Sequence, residues 1–406
     1  MKGQLDGLVV LDLSRVLAGP MAGQMLADLG AQVIKVEQPG AGDDSRHYGP
    51  PFLEQEGERW SSFHLAANRG KQSVTIDFSK PAGRDLVRSL ALKADVLIEN
   101  YRVGTLARYG LSYADLQPHN PGLIYCSISG FGQEGPYKGK PGYDAIFQAM
   151  GGLMSSIGHP DNEPGGGPMR TGLSITDVLT SLYSDIAILG ALYARDARGG
   201  TGEYIDMALL DCTIATMSHY ALHYLISGQQ PPRRGNGGNG GVPSQVFQCK
   251  EGAVILTVGN DAQFARFAPA LGHPEWLDDP RFAKVTDRIR NREIIVPLVK
   301  EVFLEKTAAE WLAILDVAEI PAGPIYEFAD VFADPQVQER GIRQEAVPPG
   351  ATLPVPLLAN PIRFRERPIP PGVAPPRLGE HTEAVLTREL GLDAAALAGL
   401  RASGVI

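Results

Sequence analysis

Cysteine is scarce: the 406-residue chain holds three, Cys126, Cys212 and Cys249. They are far apart and odd in number, which excludes a disulfide framework and gives no metal-ligand spacing. They suit a reducing compartment, and the expected location is the cytoplasm. Positive charge is also short, with 37 Lys and Arg against 46 Asp and Glu, a net charge of −9. Such a balance argues against a nucleic-acid or anionic-membrane partner. No uninterrupted apolar run reaches about 18 residues, so no transmembrane helix is expected. The opening MKGQLDGLVVLDLS shows no signal-peptide pattern and reads as a strand. Several chemical motifs are missing too. No GxGxxG follows a strand and opens a helix, and no GxxxxGK[ST] is present. The pair Ser129-Gly130 lacks the earlier glycine of a GxSxG elbow, since position 127 is serine. His219 and His223 stand i, i+4 in HYALH, but no HExxH glutamate or third ligand accompanies them, so they are read as core or interface histidines. No metal site is expected. No repeat of about 20–50 residues recurs, which excludes solenoids and propellers.

Glycine and proline are plentiful instead, at 47 and 32 residues. They punctuate a chain whose first third alternates strand and helix. Strands are expected at 7–14, 32–37, 73–78, 96–100 and 123–129, with helices at 21–30 and 81–94. That alternation implies a doubly wound parallel sheet of the α/β class. Further on, helices are expected at 143–157, 174–195 and 210–227, with a strand at 202–209. The run PPRRGNGGNGG (231–241) is the sharpest break in composition. The expected organisation is a large Rossmann-like domain over 1–205 and a linker helix with glycine-rich loop over 206–241. A smaller α+β domain over 242–330 and a C-terminal segment, 331–406, returning to the large domain complete it.

The stretch from Pro141 to Asp177, PGYDAIFQAM and onward to SITD, resembles the class III CoA-transferases. So do LDLSRVLAGP (11–20), LADLGAQVIKVEQPGAGD (26–43), NRGKQSVTIDF (68–78), ADVLIENYRVG (94–104), ISGFGQEGP (128–136), TGEYIDMALLD (201–211) and LGEHTEAVL (378–386). Their order and spacing, more than any one motif, carry the resemblance over nearly the whole chain. It implies an enzyme whose nucleophile is Asp177, with acyl-CoA and small carboxylic acids as substrates. No permanently bound cofactor is implied, and two chains would interlock as a homodimer. The chemistry is coherent: with an ordinary pKa of about 3.9 the carboxylate is ionised at neutral pH, and no general base is needed. By position the resemblance points to Asn100 and Arg108 for CoA, with Arg15, Arg69 and Lys71 as further basic candidates and Tyr143 lining the site. Gly237, Gly238, Gly240 and Gly241 would form a lid, where glycine permits unusual backbone angles and keeps water off an anhydride. Leu17 stands where formyl-CoA transferase has glutamine, and Gln38 where it has arginine. The segment HYLISGQ (223–229) resembles the dicarboxylate branch instead, with succinyl-CoA as the expected donor. Two alternatives follow from the same resemblance. One is an α-methylacyl-CoA racemase, although Tyr143 replaces that branch's histidine, and tyrosine is a poor base at neutral pH. The other is an acyl-CoA-binding relative without activity.

Overall fold

The computed structural model describes residues 3–238 and 240–406. The chain forms two compact units. The first comprises residues 1–153, 170–228 and 335–406, and the second residues 154–169 and 229–334.

Six parallel strands build the first unit: β1 (Val9–Asp12), β2 (Gln32–Glu37), β3 (Gln72–Thr75), β4 (Val96–Glu99), β5 (Ile124–Ser129) and β6 (Tyr204–Ala208). They lie in the order β3-β2-β1-β4-β5-β6. The four central strands are almost wholly buried, as their continuous Val, Ile and Leu content requires of a sheet covered on both faces. Helix α1 (Ala18–Asp28) returns the chain from β1 to β2. Helix α2 (Pro81–Ala91) carries Pro81 in its first turn and faces the core with Leu86, Val87 and Leu90. The β3 edge is closed by the C-terminal segment. His381 donates its N–H to Ser73 O at 2.9 Å, and Thr382 Oγ1 accepts the Thr75 N–H at 3.0 Å. A covered edge offers no template for strand addition.

Two helices expected to be continuous are divided. The segment expected at 143–157 becomes α3 (Asp144–Met150) and a short turn, parted at Gly152, whose φ is +88°. The segment expected at 210–227 divides at Ser218, with φ of +46°. Helix α4 (Ile175–Arg198) is continuous over 24 residues. By length and composition it is apolar enough to cross a bilayer, which the sequence did not lead us to expect, because Asp177 and Asp185 interrupt its apolar run. It packs instead on α1 and strands β5 and β6, turning Thr180, Ser184, Ile188 and Leu192 inward.

The second unit centres on an antiparallel sheet of strands Ser244–Gln248, Ala253–Thr257 and Ala322–Pro324. Phe247, Phe303 and Trp311 stack in its core, and Trp311 Nε1 donates to Phe303 O at 2.9 Å. Its extent departs from the expected 242–330 because residues 154–169 and 229–241 join it. Gly235 donates its N–H to Gly158 O at 2.9 Å, and Arg233 Nη1 donates to Ser155 O at 3.2 Å. Contacts between segments so distant in sequence leave no trace in local composition. The helix pair 209–227, expected as a linker, belongs to the first unit.

Candidate active site

The parallel sheet turns away on both sides of β1 and β4, since β2 and β3 lie on one side and β5 and β6 on the other. Beyond the carboxyl ends of such a strand pair lies the crevice where open α/β sheets bind ligands. The chain leaves β1 through Ser14, Arg15, Val16 and Leu17. Val16 has φ of +71°, a conformation that β-branched residues avoid at a cost of order 1–3 kcal/mol. The surroundings hold it there: the Val16 N–H points at both Asp43 carboxylate oxygens, 3.1 and 3.3 Å away.

Asp43 belongs to a buried charge network beneath the crevice. Lys35 Nζ lies 2.8 Å from Asp43 Oδ2 and donates to Ser14 O at 2.9 Å. Lys71 Nζ donates to Asp12 Oδ2 at 2.8 Å, to Pro20 O at 2.7 Å and to Asn68 Oδ1 at 3.1 Å. Burial opposes the charged forms, but Lys35 holds Asp43 well below the ordinary carboxylate range, and Asp12 and Asp43 hold Lys35 above its ordinary value. Burial wins at Lys71, pulling it to about 8 against the charge of Asp12. Glu37 is held at about 2, because the bidentate Arg46 hydrogen bonds outweigh its burial.

These contacts correct two expectations. Lys71 is buried with its donors engaged inside the fold, and Arg69 clamps Asp28 (Nε to Oδ1, 2.9 Å). Both support the crevice from within and present no free head group to a ligand. Arg15 and Arg108 do face solvent. Arg15 lies 5.1 Å over the Tyr101 ring, with Nη1 3.3 Å from Asp44 Oδ2. Asn100 ties the ends of β1 and β4 together, accepting from Arg15 N at 2.8 Å and donating to Arg15 O at 2.7 Å. Arg108 lies on a single helical turn, Leu106–Tyr109, where its Nη2 donates to Thr105 Oγ1 at 3.4 Å. Below Asn100, burial pushes Glu99 up to about 7 despite its bonds to Ser127 and the Tyr101 N–H.

Asp177 is the third residue of α4, and a different helix sets its place. Asp144, first residue of α3, turns its carboxylate onto the start of α4. Its Oδ2 accepts the N–H of Thr176 at 2.7 Å, the Thr176 hydroxyl at 2.6 Å and the N–H of Asp177 at 3.3 Å. One turn later Gln148 donates to Asp144 Oδ1 at 2.5 Å and to Leu173 O at 3.2 Å, and accepts the Thr171 N–H at 3.0 Å. The approach to α4 and its first residues are therefore fixed from α3. Burial, followed by the neighbouring charge of Asp144, pushes the Asp177 carboxyl up to about 7. The helix N-terminus favours the anion, but here desolvation outweighs it. The expected fully ionised carboxylate is thus corrected to one that titrates near neutrality. Tyr143, three-quarters exposed, precedes Asp144.

The glycine run lies in the second unit. Gly241 is required by close approach, since a Cβ there would meet Val258 O at 2.4 Å, whereas Gly240 has open space around it. Gly235, with φ of +58°, adopts a left-handed angle, and no such angle is found for Gly237, Gly238 or Gly241. The segment is tied within its own unit: Gly238 donates its N–H to Ser244 O at 2.9 Å and accepts from Arg292 Nη2 at 3.1 Å. His219 and His223, expected in a core or interface, are exposed on the chain. Gln148, Val16 and Asp43 were not reached by sequence reasoning, and Asp144 entered it only as a second acid near Asp177 whose loss would matter less. Only Asp144 carried a signal, as the acid of the PGYD segment.

Comparison with known proteins agrees across three measures. The family model for CoA-transferase family III matches residues 5–382. A succinate–glutarate CoA-transferase of Agrobacterium fabrum is 44% identical over 393 residues, covering 95% of each chain. A human succinyl-CoA:glutarate CoA-transferase is 39% identical over 403 residues, covering 99% of this chain and 90% of that protein. Among solved structures, a CAIB/BAIF family protein from Brucella suis superposes with a TM-score of 0.85 at 45% identity, covering 96% of this chain and 100% of that one.

Proposed function

The chain belongs to CoA-transferase family III, and from that membership we propose that it moves CoA between short dicarboxylic acids, with succinyl-CoA as donor and Asp177 as nucleophile. One observation carries the reading: a part-buried carboxyl at the start of a long helix, aimed by a second carboxylate and tuned to titrate near pH 7.

The cycle runs on carboxylate and thiolate alone. The Asp177 carboxylate attacks the thioester carbonyl of the donor, the C–S bond breaks, and CoA leaves as thiolate. The product is a mixed anhydride of Asp177 and the donor acid. The thiolate then attacks the aspartyl carbonyl, forming aspartyl-CoA and releasing the donor as free carboxylate. The acceptor carboxylate attacks that thioester, giving a new anhydride and thiolate again. Attack of the thiolate on the acceptor's carbonyl yields acceptor-CoA and restores the Asp177 carboxylate. Each step leaves one acyl group activated, as anhydride or thioester, and no proton need move. Desolvation serves this chemistry, because an ionised carboxylate stripped of water is a stronger nucleophile than a hydrated one.

CoA binding is assigned to the crevice at β1 and β4. The exposed guanidinium groups of Arg15 and Arg108 supply charge for phosphates, and Asn100 fixes the loop that carries Arg15. A second copy of the chain is proposed as the partner. Ile186 and Tyr193 on α4, with Leu222, Leu225 and Ile226 on the helix Ser218–Ser227, are all more than half exposed, an apolar excess that calls for cover. The dicarboxylate assignment follows the relatives' substrates, and a coupled screen tests it. Succinyl-CoA should transfer CoA to glutarate or another C4–C6 dicarboxylate. Turnover of formyl-CoA or oxalate far above any dicarboxylate would contradict the assignment.

A further inference from the structure

The second unit contains a cavity of about 520 Å³. Its walls are the segment entering the glycine run, the strand Ser244–Gln248 and the helix Arg292–Phe303. Arg233, Arg234, Arg292 and Lys300 line it, with Glu163 and Glu293 as the acids among the described residues of its wall. Glu163 Oε2 lies 3.8 Å from His159 Nδ1, and both side chains are half exposed. Val246, Val296 and Leu304 add apolar surface to the lining, Val296 between Arg292 and Lys300 on one helix face.

Two guanidinium groups in this wall are incompletely used. Arg292 gives Nη2 to Gly238 O at 3.1 Å, and Arg233 spends its Nη atoms on Ser155 O and Asp161. The Nε of each is buried, with no hydrogen-bond partner among the described residues. A buried N–H without an acceptor is a cost that a folded protein seldom carries unless something arrives to accept it. Burial and the adjacent Arg234 also pull Arg292 below the ordinary guanidinium range, a penalty that an incoming anion would relieve.

We propose that this cavity is a carboxylate pocket that takes the free carboxylate of a short dicarboxylic acid, with Arg292 as its chief donor and the Val246–Val296 surface receiving the methylene chain. This rests on the dicarboxylate function proposed above. The planar guanidinium fork matches two carboxylate oxygens, and the apolar surface accepts what a second charged group would not.

Calorimetric titration of the full chain with glutarate, with valerate and with inorganic phosphate tests the pocket. Glutarate should bind at least about tenfold more tightly than valerate, and Arg292→Gln should remove that preference. Arg292→Lys, which keeps charge but loses the fork, should recover part of it. Val296→Trp fills the cavity without removing a charge and should abolish glutarate binding even if Arg292→Gln fails to fold. Unaltered glutarate binding in either Arg292→Gln or Val296→Trp overturns the proposal. Phosphate binding as tight as glutarate, and lost equally in Arg292→Gln, overturns it in favour of a general anion site. Covalent trapping at Asp177 in the unaltered protein reads the function separately. Glutarate binding without an adduct sinks the function and leaves the pocket, and an adduct without glutarate preference does the reverse.

Discussion

At the scale of single residues, the protein sets Asp144 against Asp177. Asp144 holds the start of α4 through three hydrogen bonds, and its charge then raises the pKa of the residue it positions. Because the Asp177 carboxyl is pushed up to about 7, its nucleophilic form is lost as pH falls below that value. The acid limb of kcat/KM should therefore rise with unit slope toward an inflection near pH 7 and level off above it. Asp144→Asn keeps an oxygen to accept the Thr176 and Asp177 N–H groups but removes the charge, so the inflection should move to lower pH. Asp144→Ala removes the acceptor as well and should also cost stability, on the order of 0.5–2 kcal/mol for a lost helix cap. A rate that stays flat from about pH 5 upward would show Asp177 to be an ordinary carboxylate. Asp177 itself was legible only through resemblance, because an acidic residue in a helix's first turn is commonplace. Its tuning was not legible at all, since Asp144 stands 33 positions earlier in the chain.

At the scale of elements, α4 carries a second raised carboxyl that the proposed cycle does not use. Asp185 is 6% exposed, and neither of its side-chain oxygens finds a partner among the described residues. Burial, then the charge of Asp28, pushes it up to about 8 against the pull of Lys71. The folded chain thus keeps a proton that the unfolded chain, with an ordinary aspartate, releases above about pH 4. Stability should fall as pH rises from there toward 8 and then level off. Asp185→Asn cannot ionise, so it should flatten that fall and stabilise the protein by about 1–3 kcal/mol at pH 8. Urea unfolding at pH 5 and pH 8 measures it; equal losses in both proteins would contradict the reading. The elements themselves were largely readable: Gln32–Glu37 appears with the bounds its VIKV pattern gave, and α4 starts one residue after its expected position. The misses share a physical cause. Gly152 and Ser218 end helices through left-handed backbone, which apolar periodicity does not encode. The hairpin pairing Arg343–Ala346 with Val355–Leu358 went unread.

At the scale of the whole molecule, the apolar faces of α4 and of the helix Ser218–Ser227 predict a homodimer that survives dilution. Light scattering should give twice the 43.5 kDa chain mass, and an active species of the single mass would contradict it. The parallel sheet was legible in the strand–helix alternation, because crossover helices join parallel strands. Its strand order, which opens the crevice beside β1 and β4, was not, since β1 pairs with a strand more than 80 residues further on. The composition of the second unit escaped for the same reason, because residues 154–169 reach it through Arg233 and Gly235. The catalytic cycle as a whole depends on one covalent bond. Incubation with succinyl-CoA and no acceptor should leave Asp177 as an anhydride or CoA thioester, and hydroxylamine should convert either to a hydroxamate and inactivate the enzyme. Mass spectrometry of the treated protein should find that modification at Asp177 alone, and only when acyl-CoA is supplied. An unmodified Asp177 peptide in enzyme that still turns over, or near-normal transfer by Asp177→Ala, would contradict the account.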